Sequence, residues 1–265
     1  MRNIDLDNKE FTFYGDLLGI SNLYQIETTL AKQKLDIFYN NVFNNFKDMV
    51  LANEMRGFLF SDSLFITSKK LKTILIKLGD LYEELFERNI FIRGAIVSGT
   101  LDFDPRIQLD NLPKMLPSTD ALFRANSLEN SVNGMRLLIE KDLAKQILPE
   151  EWLTEDLYKN NIILDDIDQY DFRRKIILTS EWNAYEYLWM CHLNPSEIFG
   201  PPISELMERL NRDPYEIIDE RILQLPKAVR VHLEQTKELF ERTGKRWKIT
   251  YDTFNKGNNS VSNSP

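Results

Sequence analysis

Two aspartates could do chemistry because each lies inside a hydrophobic run that reads as a β-strand. Asp16 follows the run 11–15 and Asp62 follows the run 57–61, and apolar residues continue beyond both. A buried carboxylate is costly unless a cation or several hydrogen-bond donors compensate its charge. Two carboxylates on neighbouring strands would form an oxygen-rich site for Mg²⁺ or Mn²⁺. The pair therefore predicts a divalent-metal site of the kind that activates a nucleoside triphosphate.

The turn after Asp16 is the second feature with chemical potential. Gly19 closes the strand just before a helical pattern, so the N–H groups around Leu18, Gly19 and Ile20 would lie at a helix N-terminus. Such a turn binds phosphate oxygens well, and we interpret these three residues as substrate-binding. The structural alternatives are a helix N-cap for Asp16 and an ordinary turn residue for Asp62.

The elements that must position these residues alternate over the first hundred positions. The patterns predict a strand, a helix, a hairpin with Asp62 at its tip, a second helix and a further strand. This order predicts an α/β (α+β) ferredoxin-like domain, with helices packed on one face of a sheet. The predicted elements are Phe11–Leu17, Leu23 to about Val50, Met55–Thr67, Leu71–Arg88 and Ile90–Leu101.

The remainder of the chain divides into three parts. Residues 102–118 contain three prolines and are predicted to be loop, and residues 119–145 are predicted to be helical and then extended. We predict a first domain over 1–150, a mainly helical C-terminal extension packed on it over 151–256, and a disordered tail over 257–265. The helices predicted in the extension are Ser180–His192, Ile203–Leu210, Pro214–Leu225 and Pro226–Arg242.

The composition excludes several classes of function. The net charge of −8 argues against a general nucleic-acid-binding protein, which would show a basic face. One cysteine and two histidines argue against a disulfide framework and a thiolate zinc site. The N-terminal segment lacks an apolar signal core, and no run reaches the length of a membrane span, so we expect a cytoplasmic protein.

Four segments, in this order, resemble parts of class III nucleotidyl cyclases. Asp16-Leu17-Leu18-Gly19-Ile20-Ser21 is similar to their Asp-Ile-x-Gly-Phe-Thr turn, and Ser61-Asp62-Ser63 stands where they have a Gly-Asp hairpin. Segments 92–99 and 121–129 resemble their glycine-ending strand and the helix before their dimer-interface elements. The resemblance covers roughly residues 10–145. It implies a homodimer with active sites between protomers, and two divalent ions held by Asp16, Asp62 and the Leu17 carbonyl.

The departures from that family bear on the substrate. Phe58 falls where purine cyclases place a base-selecting Lys or Glu, and Phe123 and Ser127 fall where they place the Asn and Arg that stabilise the transition state. The chain therefore resembles more closely the bacterial Pycsar pyrimidine cyclases, which use a different base pocket. This resemblance implies cyclic UMP or cyclic CMP as product, used as an antiphage alarm signal that a separate effector reads.

Four further residues complete the predicted site. Arg93 and Arg124 are the candidates to supply positive charge once the usual Arg is missing. Phe58 and Arg56 would shape the base pocket, where an aromatic ring leaves room for a smaller base and stacks on it. The structural alternatives are a salt-bridged strand residue for Arg93, a solvated helix face for Arg124 and a core position for Phe58.

Two other functions stay open at this point. One is an adenylate or guanylate cyclase with replaced selectivity residues, and the other is a catalytically silent nucleotide-sensing or dimerisation module. A diguanylate cyclase is disfavoured because the hairpin lacks a Gly-Gly-Asp/Glu-Glu-Phe signature. The residues do not separate UTP from CTP, a choice that depends on one or two hydrogen bonds to the base edge; of the two, we favour UTP and hence a uridylate cyclase.

Overall fold

One sheet of seven strands organises the computed structural model, which describes residues 9–103, 117–148, 150, 176–179, 184–189 and 234. The strand order across the sheet is β2-β3-β1-β4-β5-β7-β6. The strands are β1 (Phe11–Leu17), β2 (Met55–Phe60), β3 (Ser63–Ser68), β4 (Ile92–Ser98), β5 (Leu137–Ile139), β6 (Ile176–Thr179) and β7 (Ala184–Tyr187). The helices are α1 (Ile20–Ile26), α2 (Thr28–Leu51), α3 (Leu71–Glu87), α4 (Ala121–Asn130) and α5 (Lys141–Ile147). No helix in these ranges has both the length and the hydropathy of a membrane span.

The first four strands confirm the predicted mixed α+β, ferredoxin-like arrangement. β1 lies between β3 and β4 and is antiparallel to both, while β2 pairs only with β3 at the edge of the sheet. The predicted hairpin is confirmed, with β2 and β3 joined through Ser61 and Asp62. Because β1 is central, its residues pair with both neighbouring strands. The end of β1 that carries Asp16 is therefore fixed by hydrogen bonds on both sides.

The two faces of β1 separate the hydrophobic core from the candidate site. Phe11, Phe13 and Leu17 lie in the main core, which they share with side chains of α2 and α3. Tyr14 and Asp16 alternate with these residues and lie on the opposite face. We call this side of the sheet the Asp16 face. The predicted packing on one face holds for α2 and α3, whereas α4 packs against β1 and β4 on the Asp16 face.

The single helix predicted from Leu23 to about Val50 is wrong, because the segment forms two helices. α1 already begins at Ile20, and Glu27 interrupts the helical path with φ −150° and ψ 85°. The Thr28 hydroxyl donates a hydrogen bond to the Tyr24 carbonyl and satisfies an acceptor at the end of α1. The apolar period continues across the break, so periodicity alone does not reveal it.

The helix predicted over Ser180–His192 is wrong at residues 184–187, which form strand β7. All four of these residues are buried, and Tyr185 and Tyr187 have side chains that favour extended structure. β6 and β7 join the sheet beside β5, so this part of the predicted extension belongs to the same sheet as the candidate site. α5 was not predicted. The other helices predicted after residue 200 and the 257–265 tail lie outside the described residues, Glu234 excepted.

Gly15 and Gly94 face each other where β1 and β4 pair, and they make room for the ring of Phe13. A Cβ added at Gly94 would lie 2.5 Å from that ring and 2.9 Å from the Tyr14 carbonyl oxygen, which belongs to the backbone. We therefore expect Gly94→Ala to lower the free energy of unfolding by about 1–3 kcal/mol, measured by urea denaturation. Gly79→Ala in α3 is the matched control, because its Cβ would meet only ordinary contacts and alanine favours a helix. Equal effects of the two substitutions would contradict this account.

Candidate metal and nucleotide site

The backbones of the two aspartates are held together at one end of the sheet. Asp16 pairs with Ser63 in the β1–β3 register, and the Leu17 N–H donates a 3.0 Å hydrogen bond to the Asp62 carbonyl. The Ser63 hydroxyl donates a 2.7 Å hydrogen bond to Asp16 Oδ1. At the tip, Ser61 has a left-handed φ of 55°, and its carbonyl accepts a hydrogen bond from the Tyr39 hydroxyl on α2. The sheet thus brings together the two aspartates that the sequence singled out.

The electrostatics of Asp16 favour binding of a cation. Burial is the largest influence and raises the pKa of Asp16, the Ser63 hydrogen bond lowers it, the charge of Asp62 raises it and the charge of Arg93 lowers it. The net result is a raised pKa, so the ionised carboxylate lacks full compensation within the described residues. A cation placed between Asp16 and Asp62 would supply that compensation.

The turn after Asp16 has the geometry expected for a tight strand-to-helix connection. Gly19 has φ 81°, which glycine adopts readily, and it occupies the N-cap position of α1. The N-cap alternative for Asp16 is therefore wrong. The Leu18 N–H already donates a 2.8 Å hydrogen bond to the Phe91 carbonyl, so within this turn phosphate binding would fall to the N–H groups of Gly19 and Ile20.

Arg93 lies directly opposite Asp16 in the β1–β4 register, but its guanidinium donates hydrogen bonds to other residues. Nε donates to Glu129, Nη1 donates to the Val132 carbonyl at 2.6 Å, and Nη2 donates to Asn130 Oδ1 at 3.2 Å. The ion pair with Glu129 agrees with the salt-bridged alternative for Arg93. It also leaves a positive charge beside the aspartate pair.

Arg124 lies at the other end of the sheet from Asp16. Its guanidinium binds Glu140 and Asp120 and donates a 2.6 Å hydrogen bond to the Ser98 carbonyl. Ser98 pairs with Phe11, and the β1 strand extends about 17 Å from there to Asp16. The structure therefore does not bring Arg124 to Asp16 within one chain. On the outer side of the same helix, Phe123 is 61% exposed and Ser127 is also exposed.

Arg56 and Phe58 lie on the edge strand β2, on the same face of the sheet as Asp16. Phe103 packs edge-on against Phe58 with ring centroids 4.9 Å apart, and Arg56 Nη2 lies 3.0 Å from Asp102 Oδ1. Phe58 is half-buried in this contact. Asp102 and Phe103, which follow β4, thus contact β2 and cover part of the Asp16 face beside Phe58.

The Asp102 ion pair predicts a specific dependence of stability on pH. Hydrogen bonds from Thr100 and then Arg56 lower the pKa of Asp102, so its contribution to stability is present above the ordinary value of 3.8 and is lost as pH falls through the lowered value. Asp102→Asn should therefore lower the free energy of unfolding at neutral pH by less than about 1 kcal/mol, because the pair is exposed. The melting temperature should fall slightly as a result. The difference should disappear in acid. Asp48→Asn, at an exposed carboxylate on α2, is the control, and a difference that grows in acid would contradict the assignment.

The carboxylate pair has the chemistry to bind Mg²⁺ or Mn²⁺ if other ligands complete the coordination. No group of three or more His, Cys, Asp and Glu side chains in the described ranges could hold a metal alone. Mg²⁺ commonly binds one or two protein carboxylates and takes its other ligands from water and substrate phosphates. The groups that would hold the ion are the carboxylates of Asp16 and Asp62 and the carbonyl of Leu17, which directly follows Asp16.

Three residues near Asp16 were missed by reasoning from the sequence. Ser63 binds Asp16 only because of the strand register, and Glu129 reaches the site only through the packing of α4. Tyr14 was predictable, since it precedes Asp16 by two residues on a strand and so shares its face. Burial is the main cause of the raised pKa of Tyr14; the Ser63 hydrogen bond lowers that pKa and the charges of Asp16, Glu129 and Asp62 raise it.

Comparison with known proteins finds likeness in structure only. No protein-family model matches the chain, and no curated protein matches it. Among solved structures it is similar to the guanylyl cyclase Cya2, with 12% identity over 54% of this chain and 79% of that one and a TM-score of 0.41. It is similar to the adenylyl cyclase CyaB from P. aeruginosa, with 15% identity, 52% and 80% coverage and a TM-score of 0.39. Adenylate cyclases from Trypanosoma brucei match with 13% identity, 56% and 77% coverage and a TM-score of 0.41.

Proposed function

We propose that this protein is a nucleotidyl cyclase that converts UTP or CTP to the 3′,5′-cyclic nucleotide and pyrophosphate. The observation that carries the proposal is the pair Asp16 and Asp62, held together through the Leu17–Asp62 hydrogen bond with Asp16 oriented by Ser63. Two neighbouring carboxylates beside a tight glycine turn suit a metal-bound triphosphate better than a structural role.

Asp16, Asp62 and the Leu17 carbonyl would hold two divalent ions. When bound, such ions lower the pKa of the ribose 3′-hydroxyl and neutralise charge on the departing pyrophosphate. The protein's own residues position the reactants, which is the larger part of catalysis in phosphoryl-type transfer. Ser63 fixes one oxygen of Asp16, and the N–H groups of Gly19 and Ile20 would bind phosphate oxygens.

The 3′-oxygen would then attack the α-phosphorus and displace pyrophosphate, with the proton leaving to solvent or a phosphate oxygen. Arg93 adds positive charge next to Asp16 while it stays anchored to Glu129. In this arrangement Arg93 stabilises charge on the triphosphate mainly electrostatically, because Glu129, Asn130 and Val132 accept three of its five N–H groups.

The pyrimidine preference rests on Phe58 and its surroundings. An aromatic side chain replaces the charged base-selecting residue of purine cyclases, and Phe103 packed against it narrows the space for a base. A smaller ring fits such a pocket better and can stack on Phe58, with Arg56 near the base edge. The resemblance to Pycsar enzymes supports the further proposal that the product is an antiphage signal read by a separate effector.

We further propose a homodimer with two equivalent interfacial sites. The resemblance to class III cyclases supports the dimer, and because Arg124 lies about 17 Å along the sheet from Asp16, a catalytic role of Arg124 would be in the partner's site. Mixing inactive Asp16→Asn and Arg124→Met copies should then restore about a quarter of the wild-type activity, because half of the random dimers contain one intact site. No recovery after confirmed subunit exchange would contradict the interfacial site.

The substrate is tested by incubating purified protein with Mn²⁺ and each of the four nucleoside triphosphates, followed by mass-spectrometric identification of products. We expect cyclic UMP or cyclic CMP. Cyclic AMP or cyclic GMP alone would instead establish a purine cyclase and refute the pyrimidine pocket. No product from any substrate, and no effect of replacing either aspartate, would favour a silent nucleotide-binding module.

A further inference from the structure

We propose that Glu129 is a positioning residue that holds the Arg93 guanidinium away from Asp16, so that the Asp16 carboxylate stays free to bind the metal. This inference rests on the proposed metal site and adds a residue that does not itself touch metal or substrate. It explains why an arginine is tolerated directly beside a carboxylate that must bind a cation.

The strand register alone would predict an ion pair between Asp16 and Arg93. The two residues are opposite each other in the antiparallel β1–β4 pair, and such side chains start about 5 Å apart on one face. An arginine bound to Asp16 would neutralise that carboxylate and compete with a divalent cation. In the structure, however, the only hydrogen bond to the Asp16 side chain comes from Ser63, within the described residues.

Arg93 is instead held by three acceptors at the end of α4. Glu129 accepts from Nε, the Val132 carbonyl accepts from Nη1 and Asn130 Oδ1 accepts from Nη2. Glu129 is the only charged group among these acceptors, and its side chain is 1% exposed. The planar guanidinium is therefore fixed by three acceptors, one for each of its nitrogens, and these set its orientation.

The carboxylate of Glu129 is the member of this fork that competes with Asp16 for the arginine. The charged and titratable groups around it are Arg93, Asp16, Tyr14 and Tyr82. Removing its charge leaves Arg93 with two neutral acceptors, while Asp16 still lies opposite in the register. An ion pair between the guanidinium and Asp16 is then more favourable than its remaining contacts. That ion pair would occupy the Asp16 carboxylate and compete with the metal.

The test measures Mn²⁺ binding without nucleotide, by the loss of the free Mn²⁺ electron paramagnetic resonance signal and by calorimetry. We expect Glu129→Gln to weaken Mn²⁺ binding by about 10- to 100-fold, the usual range for residues that orient a metal ligand. Arg93→Leu alone should strengthen binding only slightly, because the arginine donates no hydrogen bond to Asp16 and only its charge is lost. The double variant Glu129→Gln, Arg93→Leu should restore affinity to near the wild-type value. Glu54→Gln, which removes an exposed carboxylate at the far end of β2, is the control for charge.

The double variant makes the test independent of folding, because it removes both partners of the buried ion pair and leaves neither charge unpaired. A purely long-range effect of charge would make Arg93→Leu strengthen binding as much as Glu129→Gln weakens it. That additive result, or unchanged Mn²⁺ binding in Glu129→Gln, would overturn the inference about Glu129. Mn²⁺ binding by the wild-type protein would in that case still support the proposed metal site. Absence of Mn²⁺ binding in the wild type would refute the proposed metal site, and the inference with it.

Discussion

Replacing Asp16 with asparagine is expected to reduce the rate of cyclic nucleotide formation by about 10³-fold or more. Asparagine keeps the shape and can still accept the hydrogen bond from Ser63, but it cannot bind a divalent cation as a carboxylate does. Loss of one group that stabilises transition-state charge commonly costs 10²- to 10³-fold, and loss of a metal ligand also removes the metal's contribution. Asp62→Asn should have a similar effect, and the double variant should be little worse because the residues act together.

The stability of the same variants separates a catalytic from a structural role. Because burial raises the pKa of Asp16 in the folded state, the ionised side chain destabilises the fold above that pKa, and stability falls as pH rises through it. Without metal, Asp16→Asn should therefore melt at the wild-type temperature or higher at neutral pH. A variant that loses activity and stability together would contradict a catalytic assignment. Asp48→Asn should change neither quantity.

Replacing Arg136 with alanine is expected to lower the free energy of unfolding by about 3–5 kcal/mol. Arg136 Nη1 lies 2.8 and 3.0 Å from the two carboxylate oxygens of Glu186, and both side chains are 0% exposed. Removing the arginine takes a bidentate cation away from a buried carboxylate, and breaking such a pair costs far more than forming it gains. Urea denaturation measures the change.

The matched control replaces both partners with apolar residues of similar length. Arg136→Met combined with Glu186→Leu should recover most of the stability lost in Arg136→Ala, because both charges of the buried pair are then replaced by apolar side chains. Glu186 lies in β7, so the pair also links the strands β6 and β7 to the part of the sheet that carries the site. A loss below about 1 kcal/mol in Arg136→Ala would show that this link is exposed to water in solution.

The site was predictable from the sequence where local patterns fix the geometry. Alternating apolar residues identified β1, and the polar centre of the 55–67 segment placed Asp62 at a hairpin tip. With β1 central in a ferredoxin-like sheet, Asp16 and the hairpin tip must lie near each other. The proximity of the two aspartates therefore follows from short-range signals and one topological rule.

The rest of the site depends on contacts between residues far apart in the chain. Whether Arg93 binds Asp16 or Glu129 is decided by how α4 packs on the sheet, and no local pattern encodes that packing. The strand β7 was predicted as helix because a short aromatic run has no clear period when it is buried on both faces. The proposed domain limits at 150 and 256 remain predictions, although β6 and β7 show that the sheet continues beyond 150.

We propose above all that this chain cyclises a nucleoside triphosphate at Asp16 and Asp62. The most direct measurement incubates the protein with Mn²⁺ and each of the four nucleoside triphosphates and quantifies cyclic nucleotide and pyrophosphate together. The account predicts one cyclic nucleotide for each pyrophosphate, and no reaction with the 3′-deoxy substrate or with Asp16→Asn. Conversion to nucleoside monophosphate without cyclic product, or no conversion of any of the four triphosphates, would contradict it.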